Sequence, residues 1–141
     1  MSINELQDEI IEEFESFDDW LDRYQLILDY ANELKQNPFP AEDRNAQNLI
    51  DGCQSQVWFT VRMNGDKMVI NGDSDAQLVK GIVALLIHVL SGHTPQEFLS
   101  TDLYFIDRIG LREHLSPTRS NGVAAMLKQL KLYALAYHSK S

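Results

Sequence analysis

The chain has 141 residues, 44% of them hydrophobic and 23% charged, which is the make-up of one ordinary globular domain spanning 1–141 that buries about 70% of its unfolded surface. Its formal charge of −9 is uneven: residues 1–51 carry 14 Asp and Glu against 3 Lys and Arg, and residues 52–141 carry 7 against 9. Nucleic-acid binding needs clustered cations to neutralise phosphates, and with no Lys/Arg stripe present DNA and RNA are excluded as partners.

Two amphipathic helices open the chain. Ile3, Leu6, Ile10, Phe14 and Phe17 fall at helical spacing among Glu and Asp, and Trp20, Leu21, Tyr24, Ile27, Leu28, Ala31 and Leu34 continue the pattern until Asn37-Pro38-Phe39-Pro40 stops it. The acidic start lacks the basic and apolar regions of a signal or transit peptide. The acids Glu12, Glu13, Glu15, Asp18 and Asp19 read as a solvated face, part of it near the positive end of the second helix. The alternative is that they steer association with a basic patch on a protein partner.

Strands follow. Val57, Phe59, Val61 and Met63 alternate with Trp58, Thr60 and Arg62, the pattern of a half-buried strand. Asn64-Gly65 marks a hairpin turn, and residues 67–71 return as a second strand. A third strand at 47–51 would complete a small antiparallel sheet of about three strands. Gly72-Asp73-Ser74-Asp75 then launches a helix, with Ser74 and Gln77 spaced as a capping box. That helix is apolar almost all round and therefore central. Its longest apolar stretch, 82–90, is broken by His88 and falls short of the roughly 20 residues a membrane span requires. Gly92 ends it, and Thr94-Pro95-Gln96-Glu97 starts a short helix holding Phe98 and Leu99. Another short helix is predicted at 103–109. After the loop Ser116-Pro117-Thr118-Arg119-Ser120-Asn121-Gly122, a closing helix runs from Val123 through Met126, Leu130 and Tyr137. The fold class is α+β. An exposed apolar helix would pair two copies as a homodimer, but every apolar stripe serves equally well as core.

The chemistry centres on Cys53, the one cysteine. Alone it forms no internal disulfide, zinc cage or iron–sulfur ligation. No Cys-x-x-Cys, His-x-x-x-His or His-Glu-x-x-His spacing accompanies it, so no metal site is expected. A nucleophile, a sulfur carrier and an inert packed residue remain open. A hydrolytic nucleophile needs a base, and the candidates are His88, His93, His114 and His138. His88 lies within the apolar helix and reads as a satisfied core histidine. Asp51 favours the protonated thiol, and only the fold can bring a cation such as Arg119 nearby. Such a thiol suits exchange with a sulfur carried by another protein, giving a persulfide. Gly52 and the polar neighbours point to an accessible loop rather than core. A free thiol is most at home in the reducing cytoplasm. For Asp73-Ser74-Asp75, helix capping is the expected role.

Three motifs carry a resemblance: Gly52-Cys53-Gln54-Ser55-Gln56-Val57-Trp58; Gly72-Asp73-Ser74-Asp75-Ala76 running into Val79-Lys80-Gly81; and Leu115-Ser116-Pro117-Thr118-Arg119-Ser120-Asn121-Gly122. In order and spacing they resemble the SufE family of sulfur acceptors across nearly the whole chain, with Thr118 replacing a more usual serine. The resemblance implies an α+β fold like that of the iron–sulfur scaffold proteins. It implies that Cys53 accepts persulfide sulfur from a pyridoxal-phosphate (PLP) cysteine desulfurase of the SufS type, stimulates it, and passes the sulfur to a SufBCD-like scaffold complex for iron–sulfur cluster assembly. Gly52, Gln54, Ser55 and Arg119 would support the thiol loop, and Asp75 would face the desulfurase. The PLP belongs to the partner, and the chain itself binds no cofactor and is no independent enzyme. A CsdE-type acceptor serving a different desulfurase shares the same motifs. A cysteine-nucleophile hydrolase is the alternative from another class. A carrier's thiol is expected to be partly sheltered in the free protein.

Overall fold

The structure is a computed structural model and describes residues 1–140. Ser2 begins helix α1 (Ile3–Glu15) with a reciprocal capping box to Glu5, and the helix buries Ile3, Ile10, Ile11 and Phe14. Phe17 lies beyond its end and is 37% exposed. Asp19 caps α2 (Trp20–Ala31), accepting from the Leu21 amide at 3.0 Å. The expected continuation to Leu34 tightens into a 3-10 turn over Asn32–Gln36.

The hairpin pairs β1 (Val57–Asn64) with β2 (Lys67–Ser74), antiparallel, from Val57↔Ser74 to Asn64↔Lys67. Gly65 and Asp66 form the turn. Gly65 has φ +66° and, among the described residues, no non-glycine residue has positive φ, which is the pattern of a type II′ turn with glycine first. The sheet has two strands. The expected third strand shrinks to one bridge, Leu49↔Trp58, flanked by Ile50 N donating to Val57 O at 2.8 Å and Phe59 N to Asn48 O at 3.1 Å. Turn bonds shorten it: the Asn45 side chain bonds the Glu42 carbonyl and the Asn48 amide.

The second strand outruns its expected end at 71 and continues through Ser74. Helix α3 (Gln77–Leu90) therefore begins at Ala76 without a side-chain cap, and the predicted Ser74–Gln77 capping box does not form. Strand pairing with Val57 holds Ser74 extended and aims its hydroxyl elsewhere. Helix α3 is central as expected, with nine buried residues. It crosses α2 at Gly81, where any side chain would run into the Ile27 carbonyl. His88 is not core. It sits at the rim of α3, 34% exposed, with Nδ1 3.6 Å from Glu33 Oε2 and its ring edge-on to Tyr30.

Thr94 caps α4 (Pro95–Ser100) by the predicted box. The helix expected at 103–109 shortens to α5 (Phe105–Arg108), and beyond Gly110 at φ +82° a further short helix, α6 (Leu111–His114), follows that the sequence did not announce. Helix α7 (Pro117–Lys140) starts earlier than predicted, because Ser116 Oγ accepts from the Arg119 amide at 3.3 Å and Pro117 suits a first helical position. Residues 117–122 are thus helix, not loop. One hydrophobic cluster draws on all seven helices and both strands, with Phe14, Phe59, Phe98 and Phe105 fully buried. Among the described residues no helix is long and apolar enough to cross a membrane.

Candidate functional site

The Ile50–Val57 hydrogen bond closes residues 51–56 into a six-residue loop that carries Cys53. Gly52 takes φ +91°, a conformation side chains rarely adopt, and its backbone passes close to Ala125 on α7. The loop lies against the first turns of α7. Cys53 is half-buried, and its Sγ donates to the Gly122 carbonyl at 3.6 Å. A Cβ on Gly122 would stand 3.4 Å from that sulfur, at the near edge of ordinary contact, so the thiol is seated directly on the helix backbone at this residue.

Beside the sulfur is a cavity of about 20 Å³ lined by Cys53, Gln54, Ser55, Val79, Thr118, Arg119, Gly122 and Met126. That is room for about one water-sized atom. Val79, Gly122 and Met126 are buried, whereas Gln54, Thr118 and Arg119 are exposed, so the cavity has an apolar back and a polar mouth. Burial pushes the Cys53 thiol above its usual range. Desolvation is the cause, not the Asp51 charge that the sequence suggested, and the Gly122 carbonyl, as an acceptor, also favours the protonated form. The structure thus brings together Cys53, Gln54, Ser55 and Arg119 around one cavity, with Gly52 turning the chain into it.

The far end of the loop is pinned by the residues read as a helix cap. Gln56 N donates to Asp75 Oδ1 at 3.0 Å, Asp75 N to Gln56 O at 3.2 Å, and Ser74 Oγ to the same carbonyl at 2.8 Å. Asp75 is exposed, beside the loop rather than in the cavity. Asp73 is only 7% exposed at its side chain, with Arg44 Nη2 at 2.7 Å and Lys80 Nζ at 3.3 Å. Burial works against its charge, but Arg44, the Ser74 amide and Lys80 outweigh it and hold the carboxyl below the ordinary carboxylate range.

No histidine lines the cavity. His93 is buried with Nε2 2.8 Å from the Met1 carbonyl. His114 stacks on Trp20 at 3.9 Å, His88 meets Glu33, and His138 is in the last turns of α7. Among the described residues no three His, Cys, Asp or Glu side chains gather as a metal site. The sequence reading missed Gly122 as the seat of the thiol and Arg44 as the partner of Asp73. Their only signals were a glycine inside a helical register and an arginine in an acidic segment.

Comparison with known proteins identifies the family and the fold. The family model SufE, described as an Fe-S metabolism associated domain, matches residues 8–134. An uncharacterised SufE-like protein of Synechocystis is 41% identical over 128 residues, covering 91% of this chain and 79% of that one. SufE-like proteins of Rhizobium etli and Rhizobium meliloti are 38% and 36% identical over 129 residues, each covering 88% of this chain and 86% and 91% of their own. The solution structure of a hypothetical protein from Thermus thermophilus superposes with a TM-score of 0.77 at 25% identity, covering 95% of this chain and 96% of that one. The α+β architecture expected from the motifs is therefore the fold of a solved relative, and the chain belongs to the SufE family, whose domain is associated with Fe–S metabolism.

Proposed function

We propose that this protein is a sulfur acceptor and carrier. Cys53 takes the outer sulfur from the persulfide of a SufS-like, PLP-dependent cysteine desulfurase, stimulates that enzyme by emptying its active site, and delivers the sulfur to a SufBCD-like scaffold for iron–sulfur assembly in the cytoplasm. The Cys53 thiolate attacks the partner's terminal sulfur, the partner's S–S bond breaks, and the partner's cysteine leaves as thiolate. The proton that Cys53 lost on forming its thiolate is balanced by the one the leaving thiolate takes up, so no external oxidant or reductant is consumed. The PLP and its chemistry stay with the desulfurase.

The observation that carries this reading is a half-buried thiol on a loop pinned at both ends, beside a one-atom cavity. A raised thiol pKa and the absence of a lining histidine leave Cys53 without a built-in base, which suits a group that reacts when a partner supplies the electrophile. An apolar cavity back excludes water from a bound sulfane sulfur.

Intact-mass spectrometry after incubation with desulfurase and cysteine tests this. A gain of about 32 Da, one sulfur atom, is expected on the native chain and is absent in Cys53→Ser. Desulfurase stimulation by Cys53→Ser equal to that by the native protein refutes the reading. Running SufS-type and CsdE-type desulfurases in parallel assigns the partner.

A further inference from the structure

The loop that carries Cys53 has two stems, and both are anchored to consecutive residues at the end of β2. Ser74 and Asp75 hold the outgoing stem at Gln56. The incoming stem descends from Arg44, whose guanidinium is fixed on Asp73 through Nε at 2.8 Å and Nη2 at 2.7 Å. Asp73 also pairs with Lys80 on α3, next to Val79, which walls the cavity. Asp73 itself cannot drift. A Cβ on the preceding Gly72 would lie 2.9 Å from both the Phe59 ring and Val83, so the strand is packed flush against β1 and α3.

We propose that Asp73 is a positioning residue for the thiol: by gripping Arg44 and Lys80 together it ties the incoming stem to the helix that walls the cavity, and so confines loop motion to residues 51–55. An ion pair with one buried and one exposed member adds little net stability, because desolvation of the carboxylate and solvent screening of the arginine offset the attraction, whereas the bonds of Asp73 to two separate elements are directional constraints. This role rests on the carrier reading only for its purpose, since the restraint is readable without any desulfurase.

The test compares Asp73→Asn with the native protein by residue-resolved amide hydrogen exchange and by the rate of Cys53 alkylation with iodoacetamide. The Ile50 and Phe59 amides, which bond across the stem, are expected to exchange about tenfold faster. Cys53 is expected to alkylate several-fold faster, while the hairpin amides near Asn64 and Lys67 keep their native rates. Unchanged stem exchange, or acceleration spread evenly over both strands, overturns the proposal. Arg44→Gln, altered at the more exposed partner, leaves the Asp73–Lys80 pair in place and is expected to reproduce the stem effect; it decides the matter if Asp73→Asn does not fold. Sulfur loading measured by intact mass is a separate readout: its failure removes the carrier reading and leaves the restraint standing.

Discussion

Cys53 and Gly122, 69 residues apart, form one unit: the thiol donates to the Gly122 carbonyl at 3.6 Å and lies 3.4 Å from the point where that residue's side chain would begin. Substitutions at 122 should therefore separate helix stability from thiol placement. Gly122→Ala puts a methyl at the edge of contact, 3.4 Å from Sγ, and gains helix propensity. Chemical denaturation should show a stability change between zero and about 1 kcal/mol in its favour. Gly122→Val extends past that contact and must displace the sulfur, so Cys53 alkylation should accelerate severalfold over the native rate.

Thiol titration should be displaced upward. Burial raises the folded-state pKa of Cys53 above that of the unfolded chain, so its contribution to stability is complete below the unfolded value and is lost as pH rises through the folded one. The iodoacetamide pH–rate profile should have its midpoint above that of an unstructured peptide thiol, near 8.5, and the rate at neutral pH should be lower. A midpoint at or below the peptide value contradicts the burial.

Asp75→Ala removes the acceptor of the Gln56 amide. The expected cost is about 1 kcal/mol, read by denaturation, with faster exchange at the Gln56 amide itself. Asp75→Asn keeps an acceptor oxygen and should recover most of the loss. Equal losses in the two variants would show that charge rather than the bond holds the stem.

Gly81→Ala forces a methyl into the Ile27 carbonyl where α2 crosses α3. Overpacking of this kind should destabilise the protein by about 1–3 kcal/mol, measured as a lower denaturant midpoint.

Elements with a strong period could be read from sequence alone: α1, α2, α3 and the hairpin all form, and most nominated side chains pack inward, but Leu21, nominated by the period of α2, is 73% exposed, and of that helix only Ile27 and Ala31 are fully buried. Local turn chemistry misled where it competed with pairing or packing. Ser74 has the spacing of a cap, but its backbone is claimed by Val57 in the strand ladder. Pro117 through Gly122 has the composition of a loop, yet proline fits the first turn of a helix, and the glycine that would weaken that helix is where Cys53 packs. Around the thiol, the motifs pointed to Cys53, Gln54, Ser55 and Arg119, and the structure gathers these residues round one cavity. The Arg44–Asp73 pair was out of reach, because its members are 29 residues apart and no periodicity links them.

The tether between Ile50 and Val57 also sets a limit on travel. Cys53 is three residues from Ile50, and a fully stretched chain advances at most about 3.6 Å per residue. The sulfur therefore swings on a leash of roughly 10 Å, and any group that gives it an atom or receives one must itself reach inside that radius.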